Sequence, residues 1–179
     1  MGERRVWKRD AKIRMKNKLI LMCGLARCGK STWISKNKGD AVIVSPDDIR
    51  RDIFGHQFHQ NAEGYIWAIA ETMVRLILKQ EKDVIVDATN LTCHARDRFI
   101  KIARQMKIKT KIVWIMTKLD KCKENNKKSE KDKQIPEHII EGMALCFLDP
   151  YYDEKDIEVI QVPKSNYKIQ PYSNFYGNT

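Results

Sequence analysis

The nine residues Gly24-Leu25-Ala26-Arg27-Cys28-Gly29-Lys30-Ser31-Thr32 constrain this chain more than any other feature. They spell G-x-x-x-x-G-K-[ST] and follow the apolar run Leu19-Ile20-Leu21-Met22-Cys23 without a gap. A buried strand that turns at a glycine, wraps its backbone N–H groups round one anion and continues as a helix is a phosphate-binding βα unit. The two glycines permit that curl, which side chains with a Cβ resist. Lys30 brings a cation to the β- and γ-phosphates, and the Ser31 hydroxyl offers a ligand to Mg²⁺. The helix that begins here adds its positive N-terminal end. Residues 24–32 therefore predict binding of a nucleoside triphosphate with Mg²⁺ as its metal.

Such a loop needs a parallel sheet behind it, and the rest of the chain supplies one. Short, β-branched apolar runs at residues 19–23, 41–44, 84–86, 112–116 and 157–162 read as buried parallel strands. Helical periodicity separates them. It is clearest over 62–80, where Ile66, Ile69, Ala70, Met73, Val74 and Ile77 share a face, and returns over 91–106 through Phe99, Ile100, Ala103 and Met106. Thr92 is placed to cap the second of these helices, and Pro136 to open a third over 137–148. The alternation predicts an α/β fold: a P-loop NTPase-like open parallel sheet with helices on both faces and a basic helical lid at about 118–148. Residues 18–163 form one domain, with a basic N-terminal arm (1–17) before it and a C-terminal tail (164–179) after it.

The chain has 179 residues, a length that fits one domain with its own core. No run approaches the roughly 18 apolar residues of a membrane span, and no apolar stretch follows the basic start, so a cytoplasmic protein is expected. The five cysteines form no C-x-x-C pair and the four histidines lack ligand spacing, which argues for free thiols and against a structural zinc site. The net charge of +11 is unevenly spread. Residues 1–18 carry eight basic side chains against two acidic ones, residues 96–111 carry seven against Asp97 alone, and 118–133 carry seven lysines against four acids. Clustered cations favour phosphate-rich partners, nucleic acid above all, although a lysine-rich surface also serves solubility.

Two matches to guanine-nucleotide patterns are set aside as coincidence. Thr117-Lys118-Leu119-Asp120 resembles a base-reading element, and Asp52-Ile53-Phe54-Gly55 is formally D-x-x-G. The latter lies in a charged, helix-like stretch and does not follow a strand. More telling is Val44-Ser45-Pro46-Asp47-Asp48-Ile49-Arg50-Arg51, which follows the second strand and so lies at the carboxyl edge of the sheet, beside the phosphate site. Two carboxylates and two arginines supply what phosphoryl transfer to an alcohol needs: one carboxylate to take the hydroxyl proton, and an arginine to fix an anionic acceptor. The same residues also suit a helix N-terminus with Asp at its cap and first turn. Asp83-Val84-Ile85-Val86-Asp87-Ala88-Thr89-Asn90 ends the third strand with an acid placed to serve Mg²⁺ or its waters, or else with a polar strand-end turn.

Taken together, Gly29-Lys30-Ser31-Thr32-Trp33, Asp47-Asp48-Ile49-Arg50, Asp87-Ala88-Thr89-Asn90-Leu91 and then Arg96 resemble the phage-type polynucleotide 5′-kinase family, including the kinase modules of bacterial RNA end-repair enzymes. The resemblance covers about residues 18–150 and continues weakly through a basic lid and Ile135-Pro136. P-loop small-molecule kinases share its first element and sometimes its third. It implies that Lys30 and Ser31 hold the β/γ-phosphates and metal, and that Asp47 is the general base on a polynucleotide 5′-OH. Arg50 would grip the phosphate next to the attacked nucleoside, with Arg51 beside it. Asp48 and Asp87 would be supporting or metal-proximal acids, and Thr89, Asn90 and Arg96 would lie near the nucleotide or acceptor.

The lid departs from that family's pattern. Asn125 and Ser129 stand where arginines are expected, which leaves Lys127, Lys128 or Lys131 to face the donor phosphates, or Arg27 inside the loop. No D-x-D-x-T phosphatase signature is present, so the expectation is a kinase alone. The implied activity is ATP- and Mg²⁺-dependent phosphorylation of 5′-OH ends of DNA or RNA, with the arm (Arg4, Arg5, Lys8, Arg9, Lys12, Arg14) and residues 96–111 as strand-binding surface. This reading implies no membrane partner and leaves room for a homo-oligomer. The rival readings are a kinase of a nucleoside, sugar or antibiotic hydroxyl, and a nucleotide-dependent nucleic-acid-binding module.

Overall fold

In the computed structural model the strand ahead of the phosphate loop, β1 (Lys18–Cys23), is the centre of a five-stranded sheet, every residue after Lys18 being buried. The structure describes residues 17–55, 59–150 and 157–163. The arm, with Arg4, Arg5, Lys8, Arg9, Lys12 and Arg14, and the tail from 164 lie outside them.

After β1 come α1 (Lys30–Asn37), β2 (Val42–Val44), α2 (Pro46–Phe54), α3 (Glu63–Lys79), β3 (Val84–Val86), α4 (Cys93–Gln105), β4 (Lys109–Met116), α5 (Leu119–Lys127), α6 (Glu137–Leu145) and β5 (Glu158–Pro163). The sheet order is β2-β3-β1-β4-β5 and all pairings are parallel. The expected α/β, P-loop NTPase-like open parallel sheet is therefore the fold observed. The strand order reverses direction once, after β2. With right-handed crossovers this places α1 on one face and the helices of the later connections on the other. The reversal also opens a crevice at the carboxyl ends of β1 and β3, where ligands of such sheets bind.

The element boundaries move for identifiable reasons. β4 begins at Lys109, three residues before the apolar run, because Lys109, Thr110 and Lys111 pair with Lys18, Leu19 and Ile20 at the sheet's polar amino edge. The apolar run marks only the buried part of the ladder. On α3 the buried stripe is Ile66, Ala70, Val74 and Leu78, so Ile69 and Met73 lie on the outward side of the expected face. Trp67 of α3 packs on Phe99 of α4 with ring centroids 6.3 Å apart. α6 ends at Leu145, and Phe147 beyond it packs on Trp114 of β4 at 5.6 Å.

The 118–148 segment is tied together by Lys123, which pairs with Glu137 at 3.1 Å and also with Glu141. Asn126 donates to the Ile135 carbonyl at 2.7 Å and accepts from the Ile135 N–H at 3.0 Å. No helix among the described residues is long and apolar enough to cross a membrane. The five cysteines are free thiols.

Candidate functional site

The phosphate loop joins β1 to α1 with two glycines at positive φ, Gly24 at 142° and Gly29 at 106°. A Cβ on Gly24 would stand 2.8 Å from the Ile115 carbonyl oxygen and 2.9 Å from Cys28 Sγ, so only glycine fits where the loop leaves the sheet. Gly29 is the N-cap of α1, and no side chain or first-turn acid occupies that helix end, which leaves its N–H groups for an anion. The Gly24 N–H is held by the Thr89 carbonyl at 3.0 Å, which ties the loop to the end of β3. The Lys30 ammonium lies within the curl, donating to the carbonyls of Gly24 (3.1 Å) and Leu25 (2.9 Å).

In front of the loop lies an open cavity of about 550 Å³ lined by Ala26, Arg27, Gly29, Lys30, Ser31, Thr32, Ser45, Asp47, Asp87, Ala88, Thr89, Asn125 and Ile135. The structure thus brings three separate motifs of the sequence to one place: the loop, the turn after β2 and the end of β3. Gly24, Leu25 and Cys28 form the buried back of the loop, away from the cavity surface.

Asp47 sits in the first turn of α2, whose cap is Ser45: the Ser45 hydroxyl accepts from the Asp48 N–H at 3.1 Å, and Pro46 opens the helix. The side chain of Asp47 is 85% exposed at the cavity rim and accepts from Arg50 Nη1 at 2.6 Å. Arg50 is far less exposed, at 18%, because Glu63 at the start of α3 grips its other edge, Nε to Oε1 at 2.7 Å and Nη2 to Oε2 at 2.8 Å. The hydrogen bonds that Arg50 donates to Glu63, and then to Asp47, raise its pKa above the ordinary value. Arg50 is therefore a fixed cation that orients Asp47. Asp48 and Arg51 pair with each other at 2.8 Å on the exposed side of α2 and do not line the cavity.

Burial pushes the Asp87 carboxyl above the usual carboxylate range; Lys30 pulls it back and the charges of Asp47 and Asp48 push it further up. Burial likewise raises the Cys28 thiol, opposed by Lys30, and pushes Cys122 up to about 12, so neither is a ready nucleophile. Among the described residues no group of three or more His, Cys, Asp or Glu side chains is able to hold a metal alone. The Ser31 hydroxyl and the Asp87 carboxylate, both lining the cavity, are hard oxygen donors. They fit Mg²⁺, which takes one or two protein oxygens and completes its shell with phosphates and water.

Four expectations need correction. Arg96 is wholly buried and does not line the cavity; its Nη1 donates to the carbonyls of Asn90 and Leu148, both at 3.0 Å. Asn90 is buried as well, its amide donating to the Met22 carbonyl at 2.7 Å, so it braces β1 behind the cavity. Lys127 is 70% exposed and faces Glu137, and neither it nor Lys128 lines the cavity. Both follow Asn126, whose side chain turns inward to Ile135, so α5 carries them to its outer surface. From residues 118–148 it is Asn125 and Ile135 that reach the cavity, the Asn125 amide donating to the Arg27 carbonyl at 3.0 Å. Glu63 is a site residue that no sequence motif marks; Asn125, noted only as standing where an arginine is expected, and Thr117, set aside with its motif match, also belong to the site, the Thr117 hydroxyl donating to the Cys28 carbonyl at 2.8 Å.

The model of the AAA domain family matches residues 19–147. Among solved structures, a chain of the Pnkp1/Rnl/Hen1 RNA repair complex superimposes with a TM-score of 0.65 at 20% identity, covering 91% of this chain and 55% of its own. The Mycobacterium tuberculosis APS kinase CysC, in complex with AMPPNP and APS, gives 0.58 at 16% identity over 85% of this chain and 91% of its own. A gluconokinase from Sinorhizobium meliloti gives 0.56 at 16% identity over 90% and 88%. The chain thus spans about half the length of the RNA-repair chains it matches and most of the length of the small-molecule kinases. Identities this low carry the fold, which is that of the P-loop kinases. No curated protein sequence matches the chain.

Proposed function

The chain belongs to the AAA domain family, and from that premise we propose that it is a phosphotransferase that moves the γ-phosphoryl group of ATP to the 5′-hydroxyl end of DNA or RNA. The observation that carries this reading is the Asp47–Arg50–Glu63 array at the rim of the cavity that also holds Lys30, Ser31 and Asp87. An exposed carboxylate fixed at 2.6 Å by a braced arginine is a base positioned for an incoming hydroxyl. In the transfer, the acceptor oxygen bonds to Pγ in line and its proton passes to Asp47. The bond from Pγ to the bridging oxygen breaks, its electron pair remaining on ADP. Lys30 and the N–H groups opening α1 meet the charge on the phosphate oxygens. Ser31 and Asp87 would hold Mg²⁺, which would supply further positive charge to the phosphates when bound.

A polynucleotide acceptor is favoured by the charge. The chain carries a net charge of +11, and Lys101 and Arg104 on α4, Lys107 after it and Lys109 at the start of β4 stand exposed towards the amino edge of the sheet, the opposite end from the cavity. A small alcohol is the second reading, favoured because the APS kinase and gluconokinase folds match over 88–91% of their own length. The test is incubation of the full chain and Mg²⁺ with γ-labelled ATP and, in parallel, a 5′-OH oligonucleotide, nucleosides and sugars. Label on the oligonucleotide that disappears in Asp47→Ala is the expected result. Label on a small alcohol alone, or released only as free phosphate, overturns the polynucleotide assignment.

A further inference from the structure

Only two cations line the cavity among the described residues, Lys30 and Arg27. Arg27 stands in the middle of the loop at φ 62°, left-handed backbone that a residue with a Cβ enters only at a cost. A glycine would take that conformation freely, so the arginine is there for its side chain. The surrounding structure holds it in place from both ends. Asn125 donates to its carbonyl at 3.0 Å, Thr117 to the next carbonyl at 2.8 Å, and its own Nη2 donates to the carbonyl of Lys133.

The Nε–H of the same guanidinium is buried and has no acceptor. An unmet buried N–H beside an open cavity carries a desolvation penalty that an acceptor brought by a ligand would remove. The lid offers no competing fork: residues 118–148 contain no arginine, and Lys127 faces Glu137. A lysine elsewhere would give a point charge without the paired donors that a phosphoryl group takes.

We propose that Arg27, from within the phosphate loop, is the arginine of phosphoryl transfer, positioned by Asn125 and the Lys133 carbonyl and donating through its fork to the nucleotide's β–γ oxygens as they gain charge. It rests on the donor half of the reading above and does not depend on which hydroxyl accepts. The arrangement is a cis-acting arginine: Pγ leaves the bridging oxygen for the acceptor oxygen, and Arg27 neutralises negative charge while the proton goes to Asp47.

Arg27→Gly separates this role from a turn role, because glycine suits the backbone at least as well. The full chain is titrated with AMPPNP and Mg²⁺, and with ADP, Mg²⁺ and aluminium fluoride. Loss of labelled γ-phosphate from ATP is timed in single turnover with any acceptor, water included. The expected result is that Arg27→Gly keeps its melting temperature and AMPPNP affinity, while transition-state-analogue affinity and turnover fall by about 10²-fold or more. Arg27→Lys should not restore them. Should the glycine loosen the loop, Arg27→Gln gives the same comparison with a side chain in place. Equal loss of AMPPNP and analogue affinity, or analogue binding and turnover at the wild-type level, overturns the proposal. If the wild type labels no oligonucleotide but shows this pattern, the acceptor assignment fails and Arg27 keeps its role.

Discussion

Replacing Arg96 with methionine asks whether the most deeply buried charge in the described structure supports the fold or touches a ligand. Arg96 has no exposed surface and lies on α4 against the end of β1. Its Nη1 donates to the Asn90 and Leu148 carbonyls at 3.0 Å, and its Nη2 reaches the Asp149 carbonyl and Cys93 Sγ at 3.5 Å. These bonds join the turn after β3, which carries Thr89 into the cavity, to the chain emerging from α6. Hydrogen bonds from a charged donor contribute about 1.5–3 kcal/mol each, offset by the cost of keeping the cation out of water. Methionine relieves that cost and fills the stem, but leaves two buried carbonyls without this donor. The net loss is about 3–4 kcal/mol, and at roughly 2–4 °C per kcal/mol for a chain of this size the melting temperature falls by about 10 °C. Urea denaturation followed by tryptophan fluorescence, with calorimetry alongside, measures both quantities. The folded fraction should still bind AMPPNP, and Arg96→Lys should fall between the two. A variant that melts with the wild type yet loses nucleotide affinity or turnover would refute the bracing role and return Arg96 to the ligand.

Two further substitutions test how the site is held. Glu63→Ala removes two of the contacts that fix Arg50, so kcat for phosphoryl transfer should fall by about 10–100-fold with the KM for ATP unchanged; Glu63→Asp should recover part of it, and an unchanged kcat would place Arg50 under other control. Asp87 is held above its ordinary carboxylate value of 3.8 by burial, so the folded chain keeps this proton to higher pH than the unfolded chain does. Stability is therefore lost as pH rises through the folded-state value. Asp87→Asn should be the more stable form at pH 7, the gap closing at acid pH in thermal melts, while its Mg²⁺-dependent stabilisation by nucleotide weakens. An asparagine variant less stable than the wild type at pH 7 would show that the charge is compensated.

The phosphate loop and its strand were legible because every residue that defines them is contiguous, and strand, turn and helix start are each set by local physics. The Thr92 cap belongs to the same class: its hydroxyl accepts from the Ala95 N–H at 3.2 Å, three residues on. Glu63 and Asn125 were not legible. Glu63 meets Arg50 at a separation of 13 residues, and Asn125 meets Arg27 at a separation of 98. Nothing local distinguishes Glu63 from neighbouring polar side chains, and Asn125 stood out only as a place where an arginine is missing, not as the residue that reaches Arg27.

Arg96 is different, because the signal was present and a stronger one of another kind overrode it. The periodicity that marks Phe99, Ile100 and Ala103 as one buried face of α4 places position 96 a turn earlier on that face. Resemblance pointed the arginine at a ligand; periodicity pointed it into the core. A guanidinium is costly to bury unless several acceptors wait for it. Here the acceptors are backbone carbonyls of Asn90, Leu148 and Asp149, groups that no side-chain pattern reveals. The same logic applies in reverse to Lys127 and Lys128. The inward positions of α5 are Cys122 and Asn126, so lysines directly after Asn126 fall to the outside whatever a lid would seem to need. Charge identifies what a helix can bind, but the phase of its apolar residues decides which charges are free to bind it.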